Sequence, residues 1–392
     1  MHTSYLLSLK KFIEYWVIIA LTVFLLGYFF FPTSSKQNTV FYISTCIPVA
    51  LLLPYYYNKL RPSNWLTIST FVLIFYLYLN NLWSIHYDYA QSLKYLRYLV
   101  TLFCFFAAVF LAVYKKQNYC NLLFNSFLVV GFFYFCYGLF NHFHTLENPF
   151  MVRYGDMIQD AMFAGLLFFT AIWLINESKS WQLKILYYIS LIPFVIVLFL
   201  AKSRGPQAAL FLTLPLFFYF QNIQLKKILS ILFCLSIIVL SVFLISPDLI
   251  HSLFSRGISA PYRFSIWTIV FQESLDFFWF GQGISKTTSV VTPLGTFDHS
   301  HNIVLSVFRM GGIVGVLLFF CNLILIAFSG LKTQSSTYKL WIIWLVFGLF
   351  CMLTNGQYPF ARPKTSWLAY WVPIAFLCAS YSKSISLKNK QD

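Results

Sequence analysis

Two histidines and an asparagine, His299, His301 and Asn302, stand at the head of a long apolar run, HSHNIVLSVFRMGGIVG. Arg309 and three glycines, Gly311, Gly312 and Gly315, lie farther in. Drawn as one helix, His301 and Gly312 fall within about 20° of each other and about 16 Å apart, with Gly315 on the same side. The spacing predicts a titratable imidazole at the mouth of a stem whose small residues let another helix approach closely. A reactive head on a tightly packed stem suits catalysis, whereas an interfacial histidine above an ordinary packing motif is the plainer alternative. His299 is as readily an incidental neighbour. Arg204 sits in AKSRGPQAAL, between two apolar runs only a few residues apart. Gly205 permits the tight turn and Pro206 fits the first turn of the next helix. A guanidinium in that place snorkels at the interface or faces an anion. Arg263, in SAPYRFSIW among aromatic residues, is a headgroup anchor or a second guanidinium for phosphate, whose oxygens its planar fork matches. Arg153, in ENPFMVRYGDMIQD, and Arg362, in NGQYPFARPK, are surface charges or further substrate contacts. No HExxH pattern occurs, and the acids near these residues lack metal-ligand spacing, so no metal site is expected.

The elements that must position these groups are membrane helices. The chain has 392 residues, of which 59% are hydrophobic, 21% aromatic and only 10% charged, with a mean hydropathy of +0.73. A soluble protein of this length needs far more polar surface. Apolar stretches near twenty residues recur throughout, each long enough to cross a bilayer as a helix. The expectation is an all-α polytopic membrane protein forming a single integral membrane domain over 1–392. About twelve spans are expected, near 12–31, 40–57, 65–84, 95–114, 121–140, 158–176, 183–201, 206–221, 228–246, 302–328, 339–354 and 367–382. The first is too long for a signal-peptide core and lacks a cleavage site, so it reads as a retained helix. The net charge of +16 is scattered over short loops without a basic helix or RNA-binding motif, which points to membrane topology rather than nucleic acid. The eight cysteines are dispersed, without CxxC spacing, and read as small apolar residues.

Lys and Arg concentrate in every second connection, which places both termini in the cytoplasm. Arg153, Arg204, His299, His301 and Arg362 then share the opposite side with the longest connection, 247–301. Loops of that length are usually functional. Within it, YRFSIWTIVFQESLDFFWFG, from Tyr262 to Gly281, reads as an amphipathic helix able to lie in the interface.

These landmarks resemble the O-antigen ligase, O-antigen polymerase and O-oligosaccharyltransferase superfamily. His301–Asn302 followed by Gly312 and Gly315 is similar to its ligase signature, and SRG at Ser203–Gly205 with a separate arginine in the large outer loop fits the same pattern. The ordered landmarks cover roughly 150–365; the first five spans match in hydropathy alone. The resemblance implies a glycosyltransferase of the GT-C type in a bacterial inner membrane, with one large periplasmic loop and no cofactor. Its expected donor is an undecaprenyl-pyrophosphate-linked glycan and its acceptor a sugar hydroxyl of lipid A–core, with a polymerase or a protein O-oligosaccharyltransferase as alternatives. It also implies the roles. Arg204 and Arg263 stabilise the leaving diphosphate without metal. His301, with an ordinary pKa near 6.5, accepts the acceptor's proton or instead binds pyrophosphate as a cation. Arg153, Arg362, Asn302 and His299 contact substrate. Asp156, Asp160 and Asp298 are reserve bases. A twelve-span chain is also compatible with a transporter, but no half-repeat is visible and the polar candidates gather at one face rather than the midplane.

Overall fold

The computed structural model describes residues 2–60, 64–84, 87–145, 157–201, 203–224, 237, 261–284, 290–292, 295–356 and 359–388. The architecture is that of an all-α polytopic membrane protein, with one short antiparallel hairpin, β1 (Val290–Thr292) and β2 (Gly295–Phe297). Among the described residues, nine helical segments are long and apolar enough to cross a membrane. Two further expected spans, 206–221 and 367–382, are helical but fall short of that measure, and 228–246 lies outside the described residues.

The chain divides into two compact units. The first comprises Met1–Cys120, Tyr262–Thr333 and Gly356–Asp392. It begins with α1 (His2–Phe30), then α2 (Ser34–Phe41), which passes through a π turn into α3 (Ile47–Leu60). The helices α4 (Trp65–Leu79) and α5 (Tyr89–Lys115) follow. The second unit comprises Asn121–Pro261 and Gln334–Asn355. Its helices include α6 (Tyr119–Thr145), α7 (Met157–Glu177), α8 (Trp181–Leu200) and α9 (Arg204–Phe220). The first unit resumes with α10 (Pro261–Leu275) and α11 (Ile303–Lys332). Then come α12 (Ser336–Asn355) of the second unit, and α13 (Ser366–Ala369) and α14 (Trp371–Lys388) of the first.

Helix–helix contacts within each unit follow membrane rules, with polar side chains bonding across apolar faces. Asn322 of α11 donates to Ser69 and Thr70 of α4 at 2.9 and 2.8 Å. Trp344 of α12 donates to Thr170 of α7 at 3.0 Å. At the end of the first unit's α5, Lys115 pairs with the buried Glu14 of α1 at 2.6 Å. Aromatic rings fill the rest; in the second unit Phe124 meets Trp341 and Trp344 at 4.5 and 5.7 Å.

The helix expected to form one straight stem is broken. Gly312 has φ 60° and ψ −162° inside α11. A straight helix would join the Ile313 and Val314 amides to the Arg309 and Met310 carbonyls. Instead the segment following α10 is inserted between them. Ile313 N–H donates to Phe278 O at 2.8 Å and Val314 N–H to Trp279 O at 3.3 Å. Gln282 N–H donates to Arg309 O at 2.8 Å and Gly283 N–H to Met310 O at 3.0 Å. The Ile313 and Val314 amides and the Arg309 and Met310 carbonyls are thereby re-bonded, as an apolar setting requires. The insertion depends on backbones meeting without side chains. A Cβ on Gly281, itself at φ +74°, would lie 2.5 Å from the Gly312 nitrogen, and one on Gly312 would collide with the Trp279 carbonyl. Below the break, the lower arm from Ile313 to Lys332 is about 30 Å long, enough to cross a hydrocarbon core unaided.

Gly312→Ala should therefore lower stability by at least about 1–3 kcal/mol from backbone strain alone, with the collision added. Gly311→Ala, whose Cβ would meet only the Tyr76 and Leu77 side chains at 3.1 and 3.3 Å, should cost less. Thermal unfolding of the purified protein in detergent ranks the two, and equal losses would contradict the inserted geometry.

Candidate functional site

The site is built around the start of α11. Asn302 is its N-cap, and the side-chain oxygen accepts from Val304 N–H at 2.9 Å and Leu305 N–H at 3.2 Å. His301 therefore precedes the helix instead of lying on its surface. Its backbone is left-handed, φ 53°. This conformation is uncommon for a residue with a side chain and persists only where the surroundings fix it. Here they do so on both sides. His301 forms an isolated antiparallel bridge with Gly356, and its N–H donates to Nδ1 of His299 at 3.2 Å. Next to it, the buried Ser300 hydroxyl lies 2.7 Å from that of Ser306. The helical stripe linking His301 to Gly312 and Gly315 is thus not realised: the imidazole lies off the helix, and the helix bends before reaching Gly315. Gly311 and Gly315 do face a close neighbour, the Tyr76 ring of α4.

The two imidazoles have ring centres 3.8 Å apart. Since His299 Nδ1 accepts a hydrogen bond, its proton is assigned to Nε2, which lies 3.7 Å from Asp298 Oδ1. Burial, helped by His301 and Lys364 and opposed by Asp298, pushes the His299 pKa down to about 4.

The chain segment 359–365 supplies further charge. Trp371 Nε1 donates to Pro359 O at 2.7 Å, Trp367 Nε1 to Ala361 O at 3.3 Å and Asn38 Nδ2 to Pro363 O at 3.0 Å. So pinned, the segment exposes Arg362 and half-buries Lys364. Burial lowers the Lys364 pKa, Arg362 and Lys94 lower it further, and Asp298 works against them. Lys364 was not singled out as a site residue by sequence: a lysine in a polar loop carries no sign of the fold that half-buries it beside an imidazole.

Arg263 reaches this region through α10. Ile266, Val270 and Ser274 form its buried stripe at helical spacing. Ile266 and Val270 join Val290 in a small core, against which Phe297 and Leu305 pack. Farther along, Phe271 meets Phe308 at 5.9 Å and Glu273 meets Arg309 at 3.4 Å. These pairings join α10 to the upper arm of α11, and half-buried Arg263 lies ten residues before Glu273, near the start of α10. The amphipathic helix expected from Tyr262 to Gly281 ends earlier, at Leu275, because the following residues form the inserted segment.

Arg263, His299, His301, Asn302, Asp298 and Arg362 thus all belong to the first unit. Arg204 belongs to the second, exposed at the first residue of α9, with Pro206 in the first turn as expected. Within that unit Gln207 donates to Leu198 O at 3.1 Å across the α8–α9 turn, and a Cβ on Gly205 would strike Thr354 of α12. Asp160 is buried at the start of α7 and accepts from Tyr134 at 2.7 Å. Arg153 and Asp156 lie outside the described residues. Among the described residues, no cluster of three His, Cys, Asp or Glu could hold a metal.

A family model described as O-antigen ligase matches residues 189–320, a stretch that contains Arg204, Arg263, His299, His301 and Arg309. The chain is also 27% identical over 378 residues to a Pseudomonas aeruginosa protein described as an O-antigen ligase, covering 94% of this chain and 92% of that one. Both matches are to proteins described as O-antigen ligases.

The lowered His299 pKa carries a stability consequence. The folded protein holds this imidazole neutral, while the unfolded chain titrates near pH 6.5. Its contribution is fully present above about pH 6.5 and is lost as pH falls towards 4, on the order of 2–3 kcal/mol. His299→Gln should lose less thermal stability than the natural protein between pH 7 and pH 4.5. Parallel pH curves for the two would rule out a buried neutral imidazole.

Proposed function

We propose that this chain is an O-antigen ligase, a bacterial inner-membrane glycosyltransferase. It transfers a glycan from undecaprenyl pyrophosphate to a sugar hydroxyl of lipid A–core on the periplasmic face. The observation that supports the reading is the close His299–His301 pair beside Lys364 and Arg362, at the head of a helix that packs against α10, the helix bearing Arg263. The alternation of Lys and Arg along the loops supports cytoplasmic termini and a periplasmic site.

The chemistry follows from what a lipid-linked donor offers. Nucleotide energy is absent outside the cytoplasm, so the leaving diphosphate must carry it. As the anomeric C–O bond breaks, negative charge grows on the diphosphate oxygen. Arg263 stabilises that charge, and Arg204 has the same role on its sequence context. Preorganised guanidinium groups in a low-dielectric site suffice for this without metal. The acceptor hydroxyl attacks the anomeric carbon from the opposite face and gives its proton to neutral His301, so the centre inverts. The left-handed backbone of His301, fixed by the Gly356 bridge, aims the ring independently of the helix below. Arg362 and Lys364 suit the acidic groups of donor or acceptor. The Asn302 side-chain oxygen caps α11, so a substrate contact there uses its amide nitrogen.

With purified protein and lipid-linked donor, His301→Ala should slow single-turnover transfer by about 10²–10⁴-fold while donor binding largely survives. Arg204→Lys should also lose most activity, because a point charge does not replace a planar fork. Preserved single-turnover rate in His301→Ala with lost donor binding would make His301 a pyrophosphate ligand instead.

Disrupting the chain in cells tests the acceptor. Lipopolysaccharide should lose its whole ladder while lipid-linked polymer is retained. A core bearing a single repeat would identify a polymerase, and unchanged lipopolysaccharide with lost protein glycans a protein ligase.

A further inference from the structure

Arg309 lies in the upper arm of α11, eight residues beyond His301, and is only 4% exposed. A charge so buried is costly unless it is paired. Its Nη2 lies 3.4 Å from Glu273 Oε2, and its Nε donates to Gln282 Oε1 at 3.4 Å. Gln282 holds the same residue from the main chain, donating its N–H to Arg309 O at 2.8 Å. The Gln282 amide also donates to Glu273 O at 2.8 Å, closing a small ring of contacts between the end of α10, the inserted segment and α11.

Ile266, Val270, Phe271, Leu305 and Phe308 add apolar contacts where α10 meets the upper arm. Such faces attract without fixing height, since hydrophobic burial is non-directional. Glu273 is half-exposed, and replacing a buried charge with its partner by apolar residues often costs nothing in stability. Retaining one here is better explained by what directional bonds add, which is register. A shift of one helical turn along α10 would bury the Arg309 guanidinium without Glu273, and it would move Arg263 by about 5 Å relative to His301.

We infer that Arg309 is a positioning residue: clamped by Glu273 and Gln282, it sets the height of α10 on the upper arm of α11 and thereby the placement of Arg263 against His301. The inference rests on the roles proposed above for Arg263 and His301, so its test needs a readout that does not depend on them. Spin labels at the exposed Phe264→Cys on α10 and the half-buried Val304→Cys on the upper arm of α11 report the register by pulsed electron resonance in a background without native cysteines.

The unaltered clamp should give one narrow distance distribution. Arg309→Met should broaden or shift it and lower kcat for transfer by about 10–100-fold, the scale of an ångström-level misplacement, with donor KM changing less. Arg309→Lys, which preserves charge and is the milder change should Arg309→Met fail to fold, should show the same two effects to a smaller degree. The reversed pair, Glu273→Arg with Arg309→Glu, should recover the narrow distribution and part of the rate. An unchanged distribution and unchanged kcat in folded Arg309→Met and Arg309→Lys would overturn the inference. A shifted distribution with unchanged kcat would also overturn it, by showing that this register does not matter to the reaction. Full activity in Arg263→Ala or His301→Ala would instead sink the functional reading beneath it, whatever the distances show.

Discussion

The structure around the site depends on one exchange of backbone hydrogen bonds. Two helical bonds of α11 are given up at Gly312, and four bonds to the segment after α10 replace them. The exchange is possible only because both chains present glycine where they meet, Gly281 and Gly312. Around it, the fully buried Asn80 donates to both the Phe280 and Met310 carbonyls. Tyr76 donates to Gly311 O at 2.6 Å, and Ser84 to Gln282 O. A local break thereby becomes a joint binding α4, α10 and α11. Without it α11 would be a single rod of about 45 Å, far longer than a bilayer core.

The joint also separates two tasks. The lower arm has the length of a membrane span and packs against α4 through Asn322. The upper arm packs against α10 and the β1–β2 hairpin, and it ends at the Asn302 cap. The exposed aromatic rings at the joint, among them Trp83, Trp279 and Phe280, suit the boundary between hydrocarbon and water, where Trp is enriched. On that placement the upper arm and His301 lie on the water side of the boundary. A lipid-linked diphosphate and a sugar hydroxyl both present themselves there, outside the apolar core but tethered to it.

Much of this was legible in residue types and little of it in periodicity. Composition gave the all-α membrane class, because 59% hydrophobic residues leave no other globular solution. The histidines, Arg204 and Arg263 stood out because polar groups amid apolar runs need a reason to be there. The break in α11 did not, since Gly311–Gly312 serves equally for close helix packing, and one of the pair does so. The choice is decided by Gly281 and Gly283, thirty residues away, whose positive φ values create the inserted segment. Asn80 and Asn81 were similarly silent: two amides closing an apolar span read as an ordinary helix end until the carbonyls they meet are known. Arg309 was conspicuous as a lone charge, but its partner Glu273 lies on another helix, and no local spacing links them. Long-range pairing of this kind is fixed by tertiary register.

The charge distribution at the mouth completes the argument. His299, His301, Arg362, Lys364 and Lys94 bear on one another there, whereas the acid acting on them, Asp298, is 93% exposed and so heavily screened. Burial first, and the neighbouring like charges after it, disfavour the protonated forms, so both His299 and Lys364 titrate below their ordinary values. Such a cluster is strained in the absence of an anion and relaxed in its presence. A diphosphate entering it would restore the proton affinity of His299 and Lys364, and by reciprocity each proton they take up would tighten the hold on the diphosphate. On the proposed reaction, the same field turns to advantage as the glycosidic bond breaks. The leaving group gains negative charge when the surrounding cations have least else to interact with, so their stabilisation grows towards the transition state, the condition under which binding energy accelerates a reaction.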